Sequence, residues 1–184
     1  MFRPPATEPA PAARKLAAFL ADNNKLNSIV LSEIQNGTGL MSDSLRSFAR
    51  LLNLKTSIVE KDRAPENELD CQKTIVDVSF DLSHSIESIK SARKIYGSKN
   101  VCVILTVPGG SSNRLIETLK NSCEGIEPII ALSKLDECEI GPEEFSKLAE
   151  LNSKIGIITG TNDIVNSLAL SSENVLTQYL KENC

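Results

Sequence analysis

The sequence is poor in histidine, in net positive charge and in long apolar runs. His84 is the single histidine among 184 residues. That excludes a histidine-metal cluster, so no metal is expected, and any Ser-His or Cys-His catalytic centre would have to use that one residue. Lys and Arg number 20 against 24 Asp and Glu, a formal net charge of −4. A phosphate-backbone binder shows a basic excess or a basic stripe, so nucleic acid is not expected as a partner. No apolar run approaches the roughly 20 residues of a membrane helix. Neither a transmembrane segment nor peripheral membrane contact is therefore expected. The start, Met1-Phe2-Arg3-Pro4-Pro5, lacks the basic and then apolar stretches of a secretory signal. Cys71, Cys102, Cys123, Cys138 and Cys184 contain no C-x-x-C pair. Scattered thiols in odd number read as reduced cysteines in a cytoplasmic protein, with Cys102 expected in a buried strand.

What is present is an ordinary globular composition, 41% hydrophobic and 24% charged, in a chain of one domain's length. Pro4, Pro5, Pro9 and Pro11 crowd the beginning. Proline removes amide donors and fixes φ, so residues 1–11 are expected to form a disordered, Pro-rich tail and residues 12–184 the folded domain. A short helix is expected over Ala12–Ala21. Then short apolar runs alternate with amphipathic stretches. The runs are Ser28–Leu31, Thr56–Val59, Thr74–Val78, Val101–Leu105, Pro128–Leu132 and Ile155–Ile158. They are β-branched and mostly continuous, the pattern of strands buried on both faces. Helical stripes lie between them: Leu45, Phe48 and Leu52; Ile86, Ile89 and Ile95; Leu115, Ile116 and Leu119; Phe145, Leu148 and Leu151; Val175, Leu176, Tyr179 and Leu180. Pro142 stands at a first helical position, followed by Glu143 and Glu144. Alternation of this kind predicts an α/β fold of three layers, a mostly parallel sheet with helices on both faces.

Ligands of such sheets sit beyond the carboxyl ends of the strands. Gln35-Asn36-Gly37-Thr38-Gly39 falls there, but it lacks the lysine and the spacing of a phosphate loop and reads as a plain loop. Asp77 ends the third run and could hold magnesium through water, or simply cap a helix. Pro108-Gly109-Gly110-Ser111-Ser112-Asn113 joins a strand to a helix. Gly109, Gly110 and Ser111 make a candidate anion site of exposed amides, or an ordinary turn with an N-cap. Thr159-Gly160-Thr161-Asn162-Asp163 closes the last strand, where small residues let a base or ribose approach. The sharpest segment is Ser133-Lys134-Leu135-Asp136-Glu137. A lysine and an aspartate two apart at a strand end can clamp a guanine. The carboxylate accepts from the base's paired N–H donors and the lysine stem lies along the ring. His84 is expected in a helix's first turn, in a surface or capping role.

These segments, in this order, resemble the signal recognition particle family of GTPases. Ser133–Glu137 resembles its T-K-x-D guanine motif, in the form T-K-L-D-E. Leu45-Arg46-Ser47-Phe48-Ala49-Arg50-Leu51-Leu52 resembles the L-R-x-Y-A-R-x-L of the flagellar branch, FlhF, the branch nearest in pattern. Ile75-Val76-Asp77 stands where the family has the strand ending in D-T-A-G-R. Ile157-Ile158-Thr159-Gly160 occupies the closing loop, and Arg14-Lys15-Leu16-Ala17-Ala18 is similar to the A-K-L-A-A after the phosphate loop. The resemblance implies a P-loop GTPase-like fold. It implies guanine-binding-like roles for Ser133, Lys134 and Asp136, a vestigial switch or magnesium-side role for Asp77, and closing-loop roles for Gly160 and Thr161.

The departures lie on the phosphate side. The family's G-x-x-G-x-G-K-T-T would fall around Arg3–Pro11, which holds no glycine and no lysine. The fold is therefore expected to lack the phosphate-loop strand, leaving the strands near 74–79 and 101–106 to pair directly or through a substitute segment. Gln35, Asn36, Gly37 and Thr38 replace D-T-Y-R, and Phe80 replaces the glycine of D-T-A-G-R. Together these imply a degenerate domain, a pseudo-GTPase acting as an interaction or regulatory module, with no catalytic residue and GTP or GDP bound weakly at best. The expected partner is a homologous GTPase of this family or a second copy. Two alternatives stand beside it: a weak or partner-completed GTP-binding domain, and an unrelated small-ligand or phosphate-binding α/β protein using Gly109–Ser112.

Overall fold

In the computed structural model, residues 11–23, 29–35, 41–60, 73–78, 82–135, 137–138, 140–160 and 168–183 are described. They fall into two compact units, Met1–Gly97 and Ser98–Cys184.

The first unit runs α1 (Pro11–Asn23), β1 (Ile29–Gln35), α2 (Asp43–Leu51), β2 (Lys55–Glu60), β3 (Lys73–Asp77) and α3 (Leu82–Tyr96). Pro11 opens α1 instead of belonging to the tail, because its fixed φ suits a first helical turn and its missing N–H has no partner to lose there. Residues 1–10 lie outside the described residues. The strands pair in the order β2-β1-β3, all parallel. Central β1 is buried through Ile29, Leu31, Ser32, Glu33 and Ile34, so both of its faces are covered, as its unbroken apolar start predicts. Ala17, Ala18 and Ala21 of α1 and Leu45, Phe48 and Ala49 of α2 close one core with Ile29, Leu31 and Ile75. The small alanines let α1 approach the sheet. Ile95 does not join Ile86 and Ile89 but is exposed. It follows Ile89 by six residues, about 120° off the shared face at 3.6 residues per turn.

The second unit runs through a short 3-10 turn (Ser98–Asn100), β4 (Ile104–Pro108), α4 (Asn113–Ser122), β5 (Ile129–Ser133), α5 (Pro142–Glu150), β6 (Lys154–Thr159), β7 (Leu168–Leu170) and α6 (Glu173–Asn183). The order is β4-β5-β6-β7, parallel except for the antiparallel pair β6 and β7. Val107, Ile130 and Leu132 of the sheet bury Ile116 of α4 and Leu148 of α5. A bulge interrupts the β5–β6 register. Ile130 pairs with Ile155 and Ala131 with Ile157, which leaves Gly156 as the extra residue. A side chain at Gly156 would collide with Ile129, so the close approach needs glycine.

Cys102 corrects the sequence reading. It is exposed, because β4 begins at Ile104 and Val101–Val103 precede the strand. Cys123, by contrast, is buried. Among the described residues β3 pairs only with β1 and β4 only with β5, so direct pairing of β3 with β4 is not found. Residues 1–10, where a regular strand in that slot would contradict the expected loss of the phosphate-loop strand, lie outside the described residues.

Candidate functional site

Parallel strands deliver their C-terminal ends to one edge of a sheet, and there each unit places its polar residues. In the first unit Glu33 of β1 and Asp77 of β3 are register partners, both buried. Burying a carboxylate is costly without a compensating donor. For Glu33 that donor is the amide of Ser42, 2.7 Å from Oε2. Ser42 is the N-cap of α2, so the acid meets the positive end of a helix. Arg46 reaches back to the Met41 carbonyl at 3.1 Å and closes the same turn. Ser32, on the opposite face of β1, shares a 2.6 Å hydroxyl–hydroxyl hydrogen bond with Ser57 of β2. The Gln35–Gly39 loop lies outside the described residues from Asn36 on, and Phe80 and Asp81 do as well. His84 lies in the first turn of α3.

In the second unit, Ser133 ends β5 and is buried, while Lys134 turns out of the strand with φ 59°. A left-handed backbone at a non-glycine residue costs about 1–2 kcal/mol. Here it lets the Lys134 carbonyl accept the amides of Glu137 and Cys138, each at 3.0 Å. The Lys134 ammonium pairs with Glu137 at 3.1 Å, both side chains being about half exposed. Exposed pairs contribute only about 0–1 kcal/mol, so this one does not lock the lysine away from a ligand. Asp136 lies outside the described residues, as does Thr161; Gly160 follows β6 and is half-buried.

The turn after β4 is committed to the protein itself. The Gly109 amide donates to the Ser133 carbonyl at 2.7 Å, and the Ser111 hydroxyl donates to the Pro108 carbonyl at 2.7 Å. Ser112 caps α4, its hydroxyl accepting the Leu115 amide at 3.3 Å. Of the candidate anion site's three residues, Gly109 spends its amide and Ser111 its hydroxyl on neighbouring carbonyls, and Gly110 turns the chain with φ 70°. The structure thus brings Gly109 against Ser133, Lys134 and Cys138, a proximity that no pattern in the sequence signals. Tyr179 was read only as part of an α6 stripe. Its hydroxyl accepts the Ile140 amide at 3.0 Å, and its ring lies 6.0 Å from that of Phe145.

Cys123, after α4, has its thiol pKa pushed up by burial, partly offset by the Lys120 charge. Among the described residues no group of three or more His, Cys, Asp or Glu could hold a metal ion. No helix among them is long and apolar enough to cross a membrane.

The sequence matches no protein-family model, and no characterised protein is significantly similar to it. Solved structures do match. FlhF complexed with GTP and magnesium is 15% identical with a TM-score of 0.71, over 94% of this chain and 68% of that one. Chloroplast FtsY from Physcomitrella patens is 14% identical with a TM-score of 0.66, over 92% and 60%. The signal recognition particle 54 kDa protein from Aeropyrum pernix, in complex with GDP, is 15% identical with a TM-score of 0.60, over 93% and 43%. The chain therefore has the fold of the signal-recognition-particle type of GTPase domain. It spans 60% of the FtsY chain and 43% of the 54 kDa chain.

Proposed function

We propose that this chain is a pseudo-GTPase, a domain of the signal-recognition-particle type that works as an interaction or regulatory module and not as a phosphate-cleaving enzyme. The observation that carries the reading is the sequence at the phosphate-loop position, Arg3–Pro11, which has no glycine to bare its amides and no lysine. The strand ends favour it too. Buried Glu33 and Asp77 stand side by side, and two carboxylates repel a polyphosphate unless cations intervene. The Gly109–Ser112 turn uses the Gly109 amide and the Ser111 hydroxyl internally. Without magnesium, the edge at Glu33 and Asp77 disfavours a polyphosphate, which supports the reading.

Magnitude decides between weak binding and tight binding. A hydrogen bond to a charged group contributes about 1.5–3 kcal/mol. Losing about four of them removes roughly 6–12 kcal/mol, four or more powers of ten in affinity. A guanine clamp from Lys134 and Asp136 does not offset that. The partner is a homologous G domain or a second copy of this chain, met through the nucleotide face as the resemblance implies, in the cytoplasm.

A second reading, GTP binding completed by another chain, is favoured by Ser133-Lys134-Leu135-Asp136-Glu137. Calorimetric titration with GTP, with and without magnesium and with and without a homologous G domain, separates the two. The pseudo-GTPase reading expects no magnesium-dependent GTP binding and no turnover in either case. Micromolar GTP binding that appears only with the partner selects the second.

A further inference from the structure

We infer that Gly109 and Tyr179 are positioning residues that hold the described residues of the 133–141 loop (133–135, 137–138 and 140–141) in one fixed form, from the β4 turn on one side and from α6 on the other. This rests on reading that loop as the base-recognition type only for its functional consequence; the geometry stands by itself. The loop leaves β5 through Lys134 in a left-handed conformation, a shape an unrestrained chain leaves readily. Five of its described amides nevertheless find acceptors. Leu135 donates to the Thr159 carbonyl at 3.4 Å, and Glu137 and Cys138 donate to the Lys134 carbonyl. Ile140 donates to the Tyr179 hydroxyl, and Gly141 donates to the Glu144 carboxylate at 3.0 Å.

Gly109 is the contact that admits no side chain. A Cβ there would collide with the Cys138 carbonyl oxygen and lie 3.2 Å from the Lys134 carbonyl oxygen. Both are backbone atoms of the loop and cannot rotate away. Glycine at 109 lets the loop rest on the turn while the Gly109 amide ties to Ser133. On the other side Tyr179 is the acceptor for buried Ile140, and its ring meets Phe145 of α5. A donor buried this deeply needs its partner. The 109 turn is thereby a scaffold for the loop, and α6 is coupled to the loop through one hydroxyl.

Hydrogen exchange on the full chain, read amide by amide by NMR, tests this without any nucleotide. Gly109→Ala is expected to speed exchange at Leu135, Glu137 and Cys138 roughly tenfold relative to core amides such as Ile130, the mark of local opening. Tyr179→Phe, which keeps the ring, is expected to speed Ile140 selectively. Ser112→Ala, which removes the α4 cap, should leave the ratio of loop to core exchange unchanged. The inference is overturned if folded Gly109→Ala keeps wild-type loop protection, or if loop and core amides accelerate together. Should Gly109→Ala not fold, unchanged Ile140 exchange in Tyr179→Phe overturns it, and selective acceleration supports it. If the wild type shows a preference for guanine over adenine, Gly109→Ala should lose it with Asp136 in place. If the wild type binds neither base, exchange still decides the positioning roles, so the two readings fail separately.

Discussion

At the strand ends of the first unit stand two buried acids, Glu33 and Asp77; at those of the second stand two buried hydroxyl residues, Ser133 and Thr159. Both units wall these residues with the same material, Ile29 and Leu31 in one and Ile130 and Leu132 in the other. The apolar framework is therefore alike and the polar edge is not. The first edge relies on a side-chain acceptor, with Glu33 taking the Ser42 amide at a helix N-terminus. The second relies on backbone geometry, with Gly109, Leu135, Glu137 and Cys138 donating to carbonyls. In the resemblance these edges correspond to the phosphate side and the base side. One edge thus carries carboxyl groups and the other hydroxyls.

Perturbing the shared framework should produce the largest effects and no contrast. Leu31→Ala and Leu132→Ala each empty a site with no exposed surface, and each is expected to cost about 2–5 kcal/mol in urea denaturation. A much smaller cost in either unit would mean that its sheet is not packed as described. The charged edge comes next. Glu33→Ala should cost about 1.5–3 kcal/mol, while Glu33→Gln, which still accepts from Ser42, should cost under about 1 kcal/mol. Equal losses in the two variants would show that the carboxylate charge, and not the acceptor, matters there.

The alkaline limb of stability probes the second unit. Folding raises the Cys123 thiol pKa through burial. Below the ordinary thiol range both states keep the proton, and no pH dependence arises. Above it the unfolded chain loses the proton first, so stability falls with pH until the raised folded pKa is passed, by at most about 1.4 kcal/mol per pH unit. Denaturation across that range should show a shallower fall in Cys123→Ala than in the wild type; parallel curves would refute the assignment. The smallest effect belongs to Lys134. Lys134→Gly relieves the left-handed strain and should raise stability by up to about 1 kcal/mol, whereas destabilisation would mean that the ion pair with Glu137 outweighs the strain.

The contrast between the units was only partly legible in the sequence. Each apolar run became a strand, because continuous β-branched segments bounded by turn residues have few other ways to be buried. Boundaries drifted by up to four residues, the end of β1 most. Cys102 was read as strand because Val101 and Val103 flank it, yet the strand starts at Ile104. β7 escaped notice, since Leu168-Ala169-Leu170 is too short to carry a period. Asp77 was correctly placed at a strand end, as were Ser133 and Lys134. Glu33 was missed, because a lone acid inside an apolar run shows no sign of the helix amide it will meet nine residues later. The partnership of Gly109 with the 133–138 loop was equally hidden. It joins segments 24 residues apart through backbone atoms, which no side-chain pattern encodes.

The central claim is tested most directly by calorimetry of the full chain with GTP, GDP and ATP, with and without magnesium, on the wild type and on Asp136→Asn. The account predicts that GTP and GDP bind equally poorly, that magnesium changes nothing, and that any residual preference for guanine over adenine vanishes in Asp136→Asn without loss of fold. Micromolar, magnesium-dependent binding of GTP by the wild type, accompanied by turnover, would contradict it.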